Sequence, residues 1–114
     1  MNVDIMDEEL VWSVKKLIES IKNTGEYKEY EFQKEKIKKI PELKARIDEF
    51  RKKSYELQNM LQSDNLVKDA ERLQNENKEL LANPMATDFL QAELDFCRMM
   101  QSVNTCIFEA IDFE

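Results

Sequence analysis

The only thiols in this 114-residue chain are Cys97 and Cys106, and the chain has no histidine. A nucleophilic thiol needs a nearby base, and histidine is the commonest general base and metal ligand in proteins. The two cysteines lie nine residues apart in one predicted helix, so they point to opposite sides and are separated by about 13 Å along its axis. They cannot form a disulfide with each other, because bridged Cα atoms lie less than about 7 Å apart.

Other kinds of catalytic site lack their characteristic residues as well. Paired metals in helical bundles are held partly by Glu-x-x-His motifs, which a chain without histidine cannot provide. Loops that cradle phosphate need several glycines, and Gly25 is the only glycine. The sequence therefore predicts a protein that is not an enzyme and has no catalytic residues, no metal site and no resident cofactor.

The charge balance argues against a nucleic-acid partner. The 17 Lys and Arg residues face 24 Asp and Glu residues, a net charge of −7, which repels a phosphate backbone. The densest basic stretch, Lys34 to Lys39, also contains Glu35 and is interpreted as a solvated helix face. Its use as an RNA contact is kept as the alternative function, beside a purely structural helical module.

Nothing in the sequence predicts a membrane segment. No apolar run approaches the roughly 18 residues that span a bilayer, and the start at Met1 is acidic where a signal peptide would be basic. We therefore expect a cytoplasmic protein, with the cysteines as reduced, mostly buried side chains.

Glycine and proline are so scarce that the whole chain, residues 1–114, is predicted to be a single all-α domain. We expect four to five helices, with long antiparallel helices forming a bundle or a coiled-coil-like oligomer. The predicted helices cover about 5–23, 26–39, 41–62, 64–82 and 84–111. Gly25 is expected to end the first in a left-handed cap, Pro41 to begin the third, Asp64 to cap the fourth and Asn83-Pro84 to begin the last.

Apolar residues recur at steps of three and four in four of these helices. In the third helix the stripe is a heptad pattern, and in the fourth Asn77 occupies a heptad position where a polar side chain could fix register. The stripes are Leu10, Val14, Leu17, Ile18 and Ile21; Leu43, Ile47, Phe50, Ser54, Leu57 and Leu61; Leu66, Ala70, Leu73, Asn77 and Leu80; and Met85, Phe89, Ala92, Phe96, Met99, Val103, Ile107 and Ala110. A second set, Leu90, Leu94, Cys97 and Phe108, broadens the last stripe.

The two longest predicted helices, about 33 and 42 Å, exceed the roughly 27 Å width of a compact domain of this length. Apolar stripes on overhanging helices need cover, and a second copy, most simply in a two-fold dimer, would provide it. The methionines and phenylalanines of the last helix fit either a core or dimer seam or a surface for another protein. The residues selected for oligomer or partner interfaces are Trp12, Tyr27, Tyr30, Phe50, Leu57, Leu61, Phe89, Phe96, Met99 and Met100.

The order of short motifs along the chain resembles the YlbF/YmcA family from about residue 8 to 111. The motifs are Glu26-Tyr27-Lys28-Glu29-Tyr30, Leu57-Gln58-Asn59-Met60, Leu80-Leu81-Ala82-Asn83-Pro84, Gln91-Ala92-Glu93-Leu94 and Gln101-Ser102-Val103-Asn104. Each motif is short and common in helical proteins, and their order and spacing carry the resemblance.

The resemblance implies a small cytoplasmic bacterial protein that forms homodimers or larger assemblies. It also implies a regulator of competence, sporulation or biofilm formation that binds a paralogue or an endoribonuclease and so affects messenger RNA processing. Complexes of the family are associated with iron-sulfur clusters held by cysteines. This chain departs from that pattern in having no cysteine-rich tail, so a cluster is expected only if several chains each contribute a thiol.

Overall fold

The computed structural model describes residues 5–59 and 66–111, and these ranges contain six helices and no strand. They are α1 (Glu8–Lys22), α2 (Gly25–Lys38), α3 (Pro41–Gln58), α4 (Leu66–Glu76), α5 (Lys78–Leu81) and α6 (Pro84–Ile111). The all-α prediction is confirmed, and the number of helices exceeds the expected four to five.

The junction between α1 and α2 is made by Thr24. Its hydroxyl donates to the carbonyl of Ile21 at 2.6 Å and accepts from the amide of Tyr27 at 3.2 Å, so one side chain ends α1 and caps α2. The prediction that Gly25 forms a left-handed cap was wrong. Gly25 is the first residue of α2, and α1 instead ends at Lys22, with Asn23 as a C-cap in right-handed helical geometry.

Pro41 begins α3 as predicted, after Ile40 in a non-helical conformation with φ −127° and ψ 81°. The helix ends at Gln58, four residues before the predicted end, and Asn59 follows as its C-cap. Leu61 and the predicted cap Asp64 lie outside the described residues.

The predicted fourth helix is interrupted at Asn77, which has φ −110° and ψ 22°. Its side-chain amide donates to the carbonyl of Leu73 at 2.8 Å, so Asn77 ends α4 and leaves α5 as one separate turn. The expectation of a continuous heptad with Asn77 inside it was therefore wrong. The break directs Leu80, 1% exposed, into the core.

Asn83 and Pro84 begin the 28-residue helix α6, as predicted. The Asn83 side chain accepts from the amide of Met85 at 2.9 Å, which satisfies one of the amides left free in the first turn.

The buried core is small and lies where α2, α3, α5 and the first part of α6 meet. Its most extensive helix contact is that of α2 with the first half of α6, with α3 and α5 completing the cluster. Neither α1 nor α4 contributes a buried residue. The buried apolar residues are Ile37, Leu43, Ile47, Leu80, Ala86, Phe89 and Ala92.

The molecule is elongated, with principal extents of 50 × 38 × 23 Å. Its radius of gyration is 17.9 Å, whereas a compact chain of this length has about 13 Å. The chain exposes 9168 Å², about 40% more than the roughly 6,600 Å² typical of a folded monomer of 13.6 kDa. The 28 residues of α6 span about 42 Å, as expected for an overhanging helix, whereas α3 with 18 residues spans about 27 Å and is shorter than predicted.

Candidate protein-interaction site

Four aromatic rings pack together between α2 and α6. Tyr30 stacks on Phe96 with ring centroids 5.4 Å apart and planes 3° apart, and it also contacts Phe89 at 5.8 Å. Tyr27 meets Phe96 at 5.7 Å in a tilted arrangement. Stacked and tilted rings at these distances stabilise the pair beyond the area they bury. In this structure, therefore, the two tyrosines pack within the chain itself.

An apolar groove separates the second half of α3 from the middle of α6, and we call it the α3–α6 groove. At one end Arg51 of α3 forms a two-pronged ion pair with Glu93 of α6, its Nε donating to Glu93 Oε1 at 3.0 Å. The groove has a volume of about 910 Å³, and its apolar lining includes Phe50, Tyr55, Leu90, Leu94 and Phe96. Polar and charged side chains, among them Asp48, Lys52 and Glu93, line the groove beside this apolar set, and concave surfaces of such mixed character occur at binding sites.

Apolar side chains are also exposed on α1 and on the end of α6, two segments that contribute no buried residue to the core. We call α1 together with residues 99–111 the distal region. None of its side chains is buried, although both helices carry regular apolar stripes. The exposed fractions of its large apolar side chains include Leu10 49%, Leu17 39%, Ile107 41%, Phe108 55% and Ile111 66%.

The structure places the predicted interface residues in three different environments. Phe89 is 5% exposed and belongs to the core of the chain. Trp12 is 61% exposed, on the face of α1 away from its stripe, with the Lys16 ammonium 5.5 Å from its ring. Half-buried positions are held by Tyr27, Tyr30, Phe50, Leu57, Phe96, Met99 and Met100. Leu61 lies outside the described residues, and a role of any of these residues in an interface stays a prediction.

Several exposed side chains of these two surfaces were not among the residues selected from the sequence. Tyr55 is 69% exposed and lines the α3–α6 groove, and Leu94 is 42% exposed on the opposite wall. Leu94 and Phe108 belong to the second apolar set of α6, so the sequence carried a signal for them. Tyr55 lies off the heptad stripe of α3, and only the separation of α3 from α6 identifies it.

The basic stretch of α2 is largely paired with neighbouring acids. Lys34 lies 3.3 Å from Glu31, and Lys38 lies 3.1 Å from Glu35. The hydrogen bond from Lys34 to Glu31 raises the pKa of that ammonium. Two lysines of the basic stretch are therefore partly neutralised by glutamates of the same helix. This weakens the case that the stretch contacts phosphate.

A small ionic network joins neighbouring turns of α3 near the groove. Lys44 donates to Asp48 Oδ2 at 2.7 Å, and Arg51 donates to Asp48 Oδ1 at 3.3 Å. The hydrogen bond from Lys44 lowers the pKa of the Asp48 carboxyl below its usual value. Arg51 thus binds carboxylates of two helices, Asp48 of α3 and Glu93 of α6, and links the two walls at one end of the groove.

The donor groups of one chain do not fit an iron-sulfur cluster. Cys97 and Cys106 are both exposed free thiols on α6, and their nine-residue spacing places them on opposite sides of that helix. Within the described residues, no group of three or more His, Cys, Asp or Glu side chains is arranged to hold a metal ion. The expectation that the cysteines would be mostly buried was wrong.

None of the helices in the described ranges has the length and apolar character needed to cross a bilayer.

Comparison with known proteins places the chain in a family. A family model described as "Control of competence regulator ComK, YlbF/YmcA" matches residues 11–112. Proteins named UPF0342 protein from Caldicellulosiruptor bescii and Caldicellulosiruptor saccharolyticus are each 30% identical to this chain over 100 residues. These alignments cover 86% of this chain and 84% and 83% of the two relatives. No solved structure matches. Because the family model spans nearly the whole sequence, this chain belongs to the YlbF/YmcA family, whose description names regulation and not catalysis.

Proposed function

We propose that this protein is a regulatory adaptor that acts by binding a second copy of itself and other proteins. The family description, control of a competence regulator, gives the regulatory context. The proposal concerns the mechanism, namely that regulation proceeds through docking of apolar helix faces.

The observation that carries the proposal is the area the chain exposes. Its 9168 Å² exceeds the area typical of a monomer of this mass by about 2,600 Å². Stable interfaces bury about 800 Å² on each partner, and obligate homodimers bury about 1,000–2,500 Å². The excess is therefore large enough for a dimer interface and a second docking surface.

The second support is the regular spacing of the uncovered side chains. Leu10 and Leu17 of α1 and Ile107 of α6 lie on continuous apolar stripes, yet each is at least 39% exposed. Isolated exposed apolar residues are normal on soluble proteins, but contiguous apolar patches mark protein interfaces. We therefore assign self-association to α6 and its neighbours in the distal region.

Trp12 is our candidate anchor for a different protein. Tryptophan is enriched among the residues that dominate binding energy, and Trp12 is exposed on the outer face of α1. An endoribonuclease is the partner class that the family resemblance suggests. On this proposal the effect on RNA processing passes through protein contacts, since two lysines of the basic stretch are paired with glutamates.

The self-association is tested by size-exclusion chromatography with light scattering across micromolar concentrations. We expect a molar mass near twice the 13.6 kDa of one chain, decreasing towards 13.6 kDa on dilution. A single species of 13.6 kDa at all concentrations would contradict the proposal. The partner contact is tested with purified endoribonuclease from the same cell and immobilised protein, with buffer salt varied to separate apolar from ionic binding.

A further inference from the structure

A small cavity lies between α2, α3 and the first half of α6, beside the α3–α6 groove. Its volume is about 130 Å³. Its inner wall is apolar, because it is lined by the ring of Tyr30 and by Ile37, Ile47 and Phe89, which are at most 5% exposed. A cavity of about 150 Å³ with a comparable lining is large enough for benzene. This cavity therefore has room for one ring-sized apolar group.

The outer part of the cavity is lined by cations from two helices. Lys34 and Lys38 of α2 and Lys44 and Arg51 of α3 line it, with side chains between 41% and 53% exposed. The Lys34 ammonium lies 5.5 Å from the centroid of the Tyr30 ring. The aliphatic part of a lysine can extend an apolar wall while its ammonium stays in water. We call this space the lysine-rimmed cavity.

We propose that the lysine-rimmed cavity receives a phenylalanine side chain from a partner protein, and that acidic residues on both sides of that phenylalanine bind the rim lysines. The inference rests on the adaptor function proposed above and specifies the chemistry of one partner segment. The ring fills the apolar interior, and the carboxylates accept charge-assisted hydrogen bonds at the entrance.

The rim lysines have donors available for such carboxylates. Each rim lysine donates one hydrogen bond to a carboxylate of its own helix. The pairs are Lys34 with Glu31, Lys38 with Glu35 and Lys44 with Asp48. Because an ammonium has three N–H donors, each lysine retains donors for a second carboxylate. Exposed ion pairs within one helix contribute little to stability, so they do not prevent the lysines from turning towards a partner.

The local charge favours a short acidic segment over a nucleic acid. Arg51 pairs with Glu93, so the four cations around the cavity are balanced by the four carboxylates that bind them. The chain as a whole has a net charge of −7. A neutral region of an acidic protein does not repel a carboxylate, but it lacks the excess positive charge on which binding of a phosphate backbone depends. An aromatic anchor in a desolvated pocket provides the remaining affinity.

The inference is tested by an NMR titration of the whole ¹⁵N-labelled chain with the peptide Asp-Asp-Phe-Asp-Asp, blocked at both ends. We expect saturable shifts of amides around the cavity in α2 and α3, with a dissociation constant below about 1 mM. A peptide with alanine in place of phenylalanine, and one with lysine in place of every aspartate, should each bind at least about tenfold more weakly.

The rim is tested with the double variant Lys38→Gln and Lys44→Gln. The matched control is Lys36→Gln with Lys53→Gln, which removes the same charge from the same two helices at positions that do not line the cavity. Lys53 also pairs within its helix, with Glu49 at 3.0 Å. We expect the rim variant to weaken peptide binding about fivefold or more and the control to change it less than about twofold. Circular dichroism verifies that both variants are folded.

The possible results separate this inference from the function on which it rests. Absence of saturable shifts around the cavity, or equal binding of the alanine peptide, would overturn the cavity as a receptor, and a dimer by light scattering would leave self-association standing. A monomer that binds the peptide would overturn self-association and leave the cavity. Equally tight binding of 3-phenylpropionate would assign the cavity to a free organic anion instead. Tighter binding of a uridine oligonucleotide at the same amides would assign it to RNA, and either result would overturn the partner segment.

Discussion

The two halves of α6 have nearly the same apolar pattern and opposite surroundings. In the first half Ala86, Phe89 and Ala92 are buried at 0%, 5% and 4% exposure because α2, α3 and α5 cover them. In the second half no side chain is buried, although Ile107 and Ala110 continue the same stripe. The comparison shows that periodicity determines which face of a helix is apolar, and tertiary contacts determine whether that face is a core or a docking surface.

The largest expected effect comes from Phe89→Ala in the covered half. Phe89 contacts the Tyr30 ring and lies 5.7 Å from the Arg51 guanidinium, so its removal leaves a cavity among three helices. We expect the free energy of unfolding to fall by about 3–5 kcal/mol, measured by urea denaturation at fixed protein concentration. A loss below about 1 kcal/mol would mean that the first half of α6 is not a core.

Phe108→Ala is the matched change in the second half of α6, where no side chain is buried. Phe108 is 55% exposed, so we expect far-UV circular dichroism to be unchanged and the dimer dissociation constant to rise by about tenfold or more. Sedimentation equilibrium at several concentrations measures the change. If Phe108→Ala destabilised the subunit as much as Phe89→Ala does, the distinction between the two halves would be lost.

Trp12→Ala tests whether an exposed ring of α1 binds a partner protein, and Phe32→Ala is the control. Each ring is exposed, at 61% and 58%, and each has a lysine ammonium four residues later about 5.5 Å away. We expect Trp12→Ala to weaken binding to the partner protein about tenfold, with unfolding changed by less than about 0.5 kcal/mol. Phe32→Ala should leave both unchanged, and equal loss in the two variants would argue against a specific role for Trp12.

The smallest expected effect is that of Asp48→Asn on α3. Hydrogen bonding from Lys44 lowers the pKa of Asp48 in the folded state, so its contribution is present above the unfolded pKa of about 3.9 and is lost as the pH falls through the folded value. Because the side chain is 45% exposed, screening limits the loss at neutral pH to about 0.5 kcal/mol. Urea unfolding at several pH values should show wild type and variant converging as the pH falls through the lowered pKa of Asp48, and a constant difference would contradict this origin.

The sequence predicted the fold class and most helix boundaries because local signals determine them. Pro41 and Asn83-Pro84 begin helices since they suit the first helical turn regardless of the surroundings. The interpretation of Gly25 failed because two local signals competed, and the Thr24 hydroxyl capped α2 where a left-handed glycine would have ended α1. The prediction of a continuous helix through Asn77 failed for a related reason, since asparagine can occupy a heptad position and can also cap a helix end.

The interaction surfaces were less predictable because they depend on distances between helices. Tyr27 and Tyr30 are of a residue type that is common at interfaces, yet their rings contact Phe96 and Phe89 between α2 and α6. Tyr55 gave no signal in the pattern of α3, and only the structure shows that it lines the groove. Covered and uncovered apolar stripes look alike until the neighbouring helices are placed.

The opposite placement of the two thiols on α6 gives the protein a built-in probe of the α3–α6 groove. Cys97 lines this groove and Cys106 lies on the other side of the helix, so an occupant of the groove would shield the first thiol and leave the second exposed. The ratio of their alkylation rates therefore reports whether the groove is occupied, and it can be read by mass spectrometry without any engineered label.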